Sequence, residues 1–100
     1  MRRRAKADSN QPEIVAALRK RGATVQHTHQ IPGALDLIVG YRGVDVRVEI
    51  KDSSKPPSAR KLTPSELEVF DTWRGRHPEI VTSVDDAMDL LDYLYMEAAR

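Results

Sequence analysis

The clearest hydrophobic pattern in the chain is a strict alternation over residues 44–51. The even positions are all Val or Ile and the odd positions are all charged, which is typical of a β-strand with one buried face. An apolar run over residues 35–39 precedes it, and the intervening residues 40–43 include two glycines. The two runs are therefore predicted to be the strands of one β-hairpin.

Apolar residues at helical spacing predict three helices, each with its own start signal. Asn10 precedes the first helix, and Glu13 stands three positions later as its capping-box partner. Thr63 and Glu66 give the second helix the same signal, and Ser83 is suited to cap the last one. The last helix carries an apolar stripe made of Ala87, Leu90, Leu91, Leu94 and Ala98.

The remaining segments complete the order of elements. Residues 23–28 and 79–84 are predicted to be short strands, whereas the polar residues 52–61, with two adjacent prolines, are expected to form no regular element. The order α-β-β-β-α-β-α favours an α/β (α+β) fold in which helices flank a mixed central sheet. We expect residues 1–9 to form a basic, flexible arm and residues 10–100 to form a single domain.

The composition excludes several classes of protein. The 100 residues include no cysteine, so neither a disulfide-stapled scaffold nor a cysteine-rich zinc site is expected. No apolar run approaches the roughly 18 residues of a membrane span, and the basic amino-terminal stretch is followed by polar residues rather than by the apolar core of a signal peptide. We therefore expect a cytoplasmic domain without membrane contact, small enough that oligomerisation would help to bury its surface.

Positive and negative charge are unevenly divided along the chain. Residues 1–61 carry thirteen Lys or Arg against six Asp or Glu, whereas residues 62–100 carry three against nine, so the net charge of +1 divides into +7 and −6. This asymmetry suggests one half that faces a polyanion, although ordinary surface charge would look the same. The candidates for phosphate contact are Lys55, Arg60 and Lys61 on the proline-containing loop, and Arg3 and Arg4, with Arg2 and Lys6, in the amino-terminal arm.

Local geometry predicts that two carboxylates and one amine meet at the hairpin. The alternation places Glu49 and Lys51 on one face of their strand, and a two-residue loop at positions 42–43 would set Asp36 directly opposite Glu49. Two carboxylates at such a short distance repel each other unless a cation lies between them. Mg²⁺ is commonly held by one or two carboxylates plus phosphate oxygens. The patch therefore suits metal-assisted phosphodiester hydrolysis, in which Lys51 would orient water, act as a base or stabilise charge.

These features also have structural explanations. A strand that ends in Glu-x-Lys with charged residues on its solvent face is common, and a loop of odd length would separate Asp36 from Glu49. Asp36 nevertheless interrupts an apolar strand, and a half-buried carboxylate needs a partner. His27 and His29 are expected to be structural, because zinc would need further ligands. Core or interface positions are expected for Trp73, Tyr93 and Tyr95.

Together with the segments around them, Asp36, Glu49 and Lys51 resemble the motif of the PD-(D/E)XK nuclease superfamily. The matching segments are Gly33-Ala34-Leu35-Asp36 before the hairpin and Glu49-Ile50-Lys51 at its end, after a helix that carries Glu13. Together with the tract over residues 55–64, they resemble more narrowly the VRR-NUC (virus-type replication-repair nuclease) branch and small phage-encoded endonucleases. The resemblance covers about residues 10–92 and implies a restriction-endonuclease-like αβββαβα core.

The resemblance implies a role for each matching residue. Asp36 and Glu49 would be the metal ligands, together with the backbone carbonyl of Ile50, and Lys51 would be the catalytic lysine. Glu13 matches an acidic residue that some relatives use near the metal, and a place in a capping box is the alternative for it.

The implied function is Mg²⁺-dependent DNA endonuclease activity, with Mn²⁺ as an alternative metal. Relatives favour branched DNA such as Holliday junctions and several act as homodimers, so a structure-selective, homodimeric enzyme of phage or bacterial origin is expected. Leu35 stands directly before Asp36, where the PD-(D/E)XK motif has its proline. Glu66 stands where relatives often carry Gln. Two other classes stay open: a non-catalytic DNA-binding module on the same fold, and an interaction protein that uses the acidic last helix.

Overall fold

The structure, a computed structural model, describes residues 8–100. Its elements follow the order that the sequence pattern predicts. They are α1 (Gln11–Lys20), β1 (Thr24–His27), β2 (Leu37–Tyr41), β3 (Val44–Ile50), α2 (Pro64–Thr72), β4 (Glu79–Val81) and α3 (Val84–Ala98). The expectation of no regular element over residues 52–61 is wrong, because the chain forms a 3₁₀ turn over Pro57–Arg60. Proline is compatible with the first position of such a turn.

Four strands form one mixed sheet in the order β1-β2-β3-β4. β1, β2 and β3 pair antiparallel, and β4 lies parallel to β3. The hairpin of β2 and β3 has a two-residue loop, with Tyr41 paired to Val44. Arg42 and Gly43 have φ angles of 55° and 84°, and positive φ at both loop residues is the geometry of a type I′ turn. This turn fixes the register of the whole hairpin.

The core lies between one face of the sheet and the helices α1 and α3. Of the even-numbered residues of β3, Val46, Val48 and Ile50 are buried there, and Val44 is partly buried against them. α1 contributes Ile14, Val15 and Leu18, and α3 contributes Ala87, Leu90, Leu91 and Leu94. Ala98, the last member of the predicted stripe, is exposed. Because side chains alternate along a strand, the odd-numbered residues of β3 point to the opposite face of the sheet.

The predicted starts of α2 and α3 are confirmed. The side chain of Thr63 accepts the N–H of Glu66, and the side chain of Glu66 accepts the N–H of Thr63, which makes a complete capping box. At α3, the side chain of Ser83 accepts the N–H of Asp86. These side chains satisfy backbone groups that would otherwise lack a partner at a helix end.

The predicted capping box of Asn10 and Glu13 is wrong. Asn10 is the N-cap of α1, but its side chain makes no capping hydrogen bond. Its amide instead donates to the backbone carbonyls of Lys51 and Thr82, at 3.2 and 3.1 Å. These two residues directly follow β3 and β4, so the Asn10 side chain fastens the start of α1 to the ends of two parallel strands. Glu13 is left exposed.

The expected amino-terminal arm falls almost entirely on residues 1–7, outside the described residues, and Arg3 and Arg4 lie there too. Within residues 8–100, no helix has both the length and the apolar character needed to cross a membrane.

Candidate active site

Asp36 and Glu49 face each other across the hairpin. The pairing of Leu37 with Val48 extends by one position in the same register, which places Asp36 opposite Glu49. Asp36 Oδ2 accepts a hydrogen bond of 2.7 Å from the backbone N–H of Ile50, the residue next to Glu49. The structure thus brings together the two carboxylates that the sequence pattern pairs.

Lys51 completes the cluster just after β3. Its Nζ lies 3.4 Å from Oε2 of Glu49 and 2.9 Å from Oε1 of Glu66. The residue is only 8% exposed, so the two carboxylates, rather than water, provide most of its polar contacts. Glu66 Oε1 also accepts the N–H of Thr63 at 2.9 Å. One oxygen of Glu66 therefore both caps α2 and holds the lysine.

Burial sets the electrostatics of the cluster. Burial, with the Glu66 hydrogen bond and the charge of Asp36, raises the pKa of Glu49 to about 9. Burial also raises the pKa of Asp36, although the N–H of Ile50 opposes it. For Lys51, burial lowers the pKa, but the hydrogen bond to Glu66 and the charge of Glu49 outweigh it and raise the pKa overall. Near neutral pH, Glu49 therefore retains a proton beside a charged lysine.

The donor set at this cluster suits a hard divalent cation. Two carboxylates and a backbone carbonyl are oxygen ligands, and Mg²⁺ uses one or two carboxylates while it keeps several waters. The charge of Asp36 helps to raise the pKa of Glu49, and a cation between the two carboxylates would offset that repulsion. Across residues 8–100, no three or more His, Cys, Asp or Glu side chains form a group that would hold a metal. Any metal here would therefore also depend on backbone, water or phosphate oxygens.

Glu13 lies apart from this cluster. It is exposed on the first turn of α1 and borders a pocket that Asp52 and Ser54 also line. Among the described residues, no hydrogen bond or ion pair links Glu13 to Glu49 or Lys51. The structure therefore gives Glu13 neither the capping role nor a direct contact with the paired carboxylates.

The basic residues of the loop after β3 lie on the surface near the cluster. Lys55 is exposed, and its Nζ forms an ion pair with Asp8 Oδ1 at 3.1 Å. Arg60 is half-buried at the end of the 3₁₀ turn, and Lys61 is exposed next to it. This loop connects Lys51 to α2, whose first turn carries Glu66, so both ends of the loop lie beside the cluster.

Arg47 and Trp73 extend the site along the same face of the sheet. Arg47 precedes Glu49 by two residues on β3, and its guanidinium carbon lies 3.9 Å from the centroid of the Trp73 ring. Trp73 is 42% exposed at the end of α2, so it does not lie in the core, and the alternative of an interface position stays a prediction. Tyr93 and Tyr95 are also exposed rather than in the core. The cation–π pair was not predicted, because it joins residues that are distant in sequence.

Comparison of the chain with protein-family models, with curated proteins and with solved structures finds no match. The geometry of the residues is therefore the basis for the function proposed below.

Proposed function

We propose that the protein is a Mg²⁺-dependent endonuclease that hydrolyses phosphodiester bonds in DNA. The observation that carries this proposal is the convergence of Asp36, Glu49 and Lys51 on one patch at the end of the β2–β3 hairpin. The two carboxylates are suited to hold a metal ion. The buried ammonium group of Lys51 beside them is suited to contact a phosphate group at the same point. The resemblance of these residues and their order to PD-(D/E)XK nucleases supports the same reaction.

Asp36 and Glu49, with the backbone carbonyl of Ile50, are the residues that would hold the metal. A bound Mg²⁺ would neutralise phosphate charge and lower the pKa of a water molecule. The raised pKa of Lys51 favours a lysine that stays protonated. Of the three roles open to Lys51, stabilising negative charge on the phosphate therefore fits better than acting as a base. Glu66 is a positioning residue, because it holds the Nζ of Lys51.

The substrate surface in this proposal is the face of the sheet that carries the cluster. Lys55, Arg60 and Lys61 would contact backbone phosphates, which orients DNA without reading its sequence. Arg47 adds positive charge on the same face of β3. On the basis of the resemblance, the proposal also includes branched DNA as the preferred substrate. It includes a homodimer as well, which would place two sites on two DNA strands.

The test is cleavage of a synthetic four-way junction, a linear duplex of matched length and a supercoiled plasmid, each with Mg²⁺, Mn²⁺ or EDTA. The Lys51→Met variant removes the charge at similar side-chain size, and Lys20→Met is the matched control on the exposed end of α1. We expect metal-dependent cleavage that Lys51→Met reduces by about 10²–10³-fold and that Lys20→Met leaves unchanged.

Equal cleavage by the Lys51→Met variant and the unmodified protein would refute the mechanism. Salt-sensitive DNA binding without cleavage in either metal would instead identify a non-catalytic binding module. Cleavage of the duplex and the junction at the same rate would retain the nuclease and remove the preference for branched DNA.

A further inference from the structure

A second pocket lies between α1 and β1, away from the paired carboxylates. Pro12, Val15 and Ala16 of α1 give it apolar walls, and β1 contributes His27. His27 shares a strand face with the buried Val25, so it points to the α1 side of the sheet. The pocket measures about 400 Å³, within the range of about 300–1,000 Å³ for small-molecule sites. Its position on the opposite face separates it from the candidate active site.

Two residues that line the pocket carry buried polar atoms without a hydrogen-bond partner. Gln11 is only 2% exposed, and its Nε2 lies 3.2 Å from Nδ1 of His27. Its Oε1 is buried without a hydrogen-bond partner among the described residues, and so is Nδ1 of His29. A buried polar atom without a partner is destabilising, so Gln11 Oε1 calls for a donor from outside the chain. The tautomer of His29 decides whether its Nδ1 needs a donor or an acceptor.

A positive group borders the same pocket. Arg19 lines it, and the Arg19 Nη2 is fixed by a hydrogen bond of 3.0 Å to the carbonyl of Val25. A guanidinium has five N–H donors in a planar fork that matches phosphate oxygens. A ligand for this pocket thus combines a flat apolar body, hydrogen-bonding groups on one edge and a negative charge.

We propose that this pocket binds an unpaired nucleobase whose edge meets Gln11 and His29 and whose phosphate lies beside Arg19. A base ring has two apolar faces for Val15 and Ala16, and an exocyclic amine or a ring N–H on its edge supplies the donor that Gln11 Oε1 lacks. The base comes either from a free nucleotide or from a single-stranded end of DNA. Base binding goes beyond the proposed cleavage and does not require metal.

The experiment is a titration in EDTA, followed by the backbone-amide NMR signals of the protein. The probes are the four deoxynucleoside monophosphates, a short single-stranded oligonucleotide, and the same oligonucleotide with abasic positions. Ala16→Phe fills the pocket from an exposed helix position, and Ala98→Phe places the same ring on an exposed position of α3. Gln11→Met removes the amide at similar size.

We expect saturable shifts confined to α1, β1 and His29 with a base-bearing probe. Gln11→Met should weaken binding by about tenfold, as the loss of one hydrogen bond does. Ala16→Phe should abolish these shifts, and Ala98→Phe should leave them intact. Binding of the monophosphates identifies a free nucleotide as the source, and binding only of the base-bearing oligonucleotide identifies a DNA end.

The proposal fails if millimolar nucleotide and oligonucleotide leave the α1 and β1 signals unshifted, or if Ala16→Phe binds as well as Ala98→Phe. It also fails if the abasic oligonucleotide binds equally well. Because no metal is present, a protein that does not cleave DNA would still give a clear result in this titration.

Discussion

The Nζ of Lys51 lies nearer to Oε1 of Glu66, at 2.9 Å, than to Oε2 of Glu49, at 3.4 Å. The closer partner comes from α2, fifteen positions further along the chain, and the more distant one from the strand that carries the lysine motif. The position of the catalytic lysine in the proposed mechanism therefore depends on the start of a helix, and Glu66 links helix capping to the site.

The two roles of Glu66 can be separated by two substitutions. Glu66→Gln keeps a capping-box residue type and loses the charge that holds Lys51, whereas Glu66→Ala loses both. We expect Glu66→Ala to be about 1 kcal/mol less stable than Glu66→Gln, the usual size of a capping effect. Cleavage should fall in both variants, by up to about 10²-fold, because the lysine is misplaced.

Denaturant unfolding and single-turnover cleavage measure these two effects. Wild-type cleavage by Glu66→Gln would show that the Lys51–Glu66 pair has only a structural role.

The assignment of Asp36 as a metal ligand predicts a loss of metal affinity in Asp36→Asn. The asparagine oxygen can still accept the N–H of Ile50, so we expect the hairpin to keep its register while binding of Mg²⁺ or Mn²⁺, measured by calorimetry, weakens by at least about tenfold. Asp45→Asn is the matched control, because Asp45 is an exposed carboxylate on the same face of β3. If both variants bind metal like the unmodified protein, Asp36 is not a ligand.

The metal-free protein should lose stability as the pH rises. Burial raises the pKa of Glu49 from 4.5 to about 9 in the folded state, so between these values the folded chain holds a proton that the unfolded chain has released. The stabilisation is complete below pH 4.5 and is lost as the pH approaches about 9. The raised pKa of Asp36 acts with the same sign.

Chemical denaturation in EDTA across this pH range provides the measurement. Glu49→Gln cannot titrate at this position, so its stability should fall much less steeply. Parallel pH profiles for Glu49→Gln and the unmodified protein would show that Glu49 ionises normally.

The loop after β3 should contribute to DNA binding through charge alone. Lys61 is exposed, and replacing one lysine that contacts a phosphate is expected to reduce the slope of log K against log salt concentration by about 1. Lys61→Met should therefore weaken binding similarly for DNA of any sequence. Fluorescence anisotropy over a series of salt concentrations measures the slope, with Lys20→Met as the control. An unchanged slope in Lys61→Met would remove this residue from the interface.

The sequence was most informative where structure depends on neighbouring residues. Alternation over residues 44–51 predicted β3, and the pairing of Asp36 with Glu49 followed on the assumption of a two-residue loop, which the structure contains. The ends of strands were predicted less well. The strand predicted over residues 35–39 is found at Leu37–Tyr41. It starts later because the Asp36 side chain accepts the N–H of Ile50, and it ends later because the tight turn allows pairing up to Tyr41.

Contacts between distant parts of the chain were beyond the sequence pattern. Asn10 looked like the first residue of a capping box, but two strand-end carbonyls take its amide. In the same way, nothing local indicated that Glu66 would reach Lys51, or that Arg47 would lie against Trp73. Each of these contacts depends on how the helices pack against the sheet, which hydrophobic periodicity does not specify.

The bonds that hold the first described residues also hold the loop after β3. Asp8 pairs with Lys55, and Ser9 donates to Asp52, so the chain is tethered beside the carboxylate cluster. Because the ammonium group of Lys55 is already paired with Asp8, a phosphate group that contacts Lys55 would have to compete with this carboxylate.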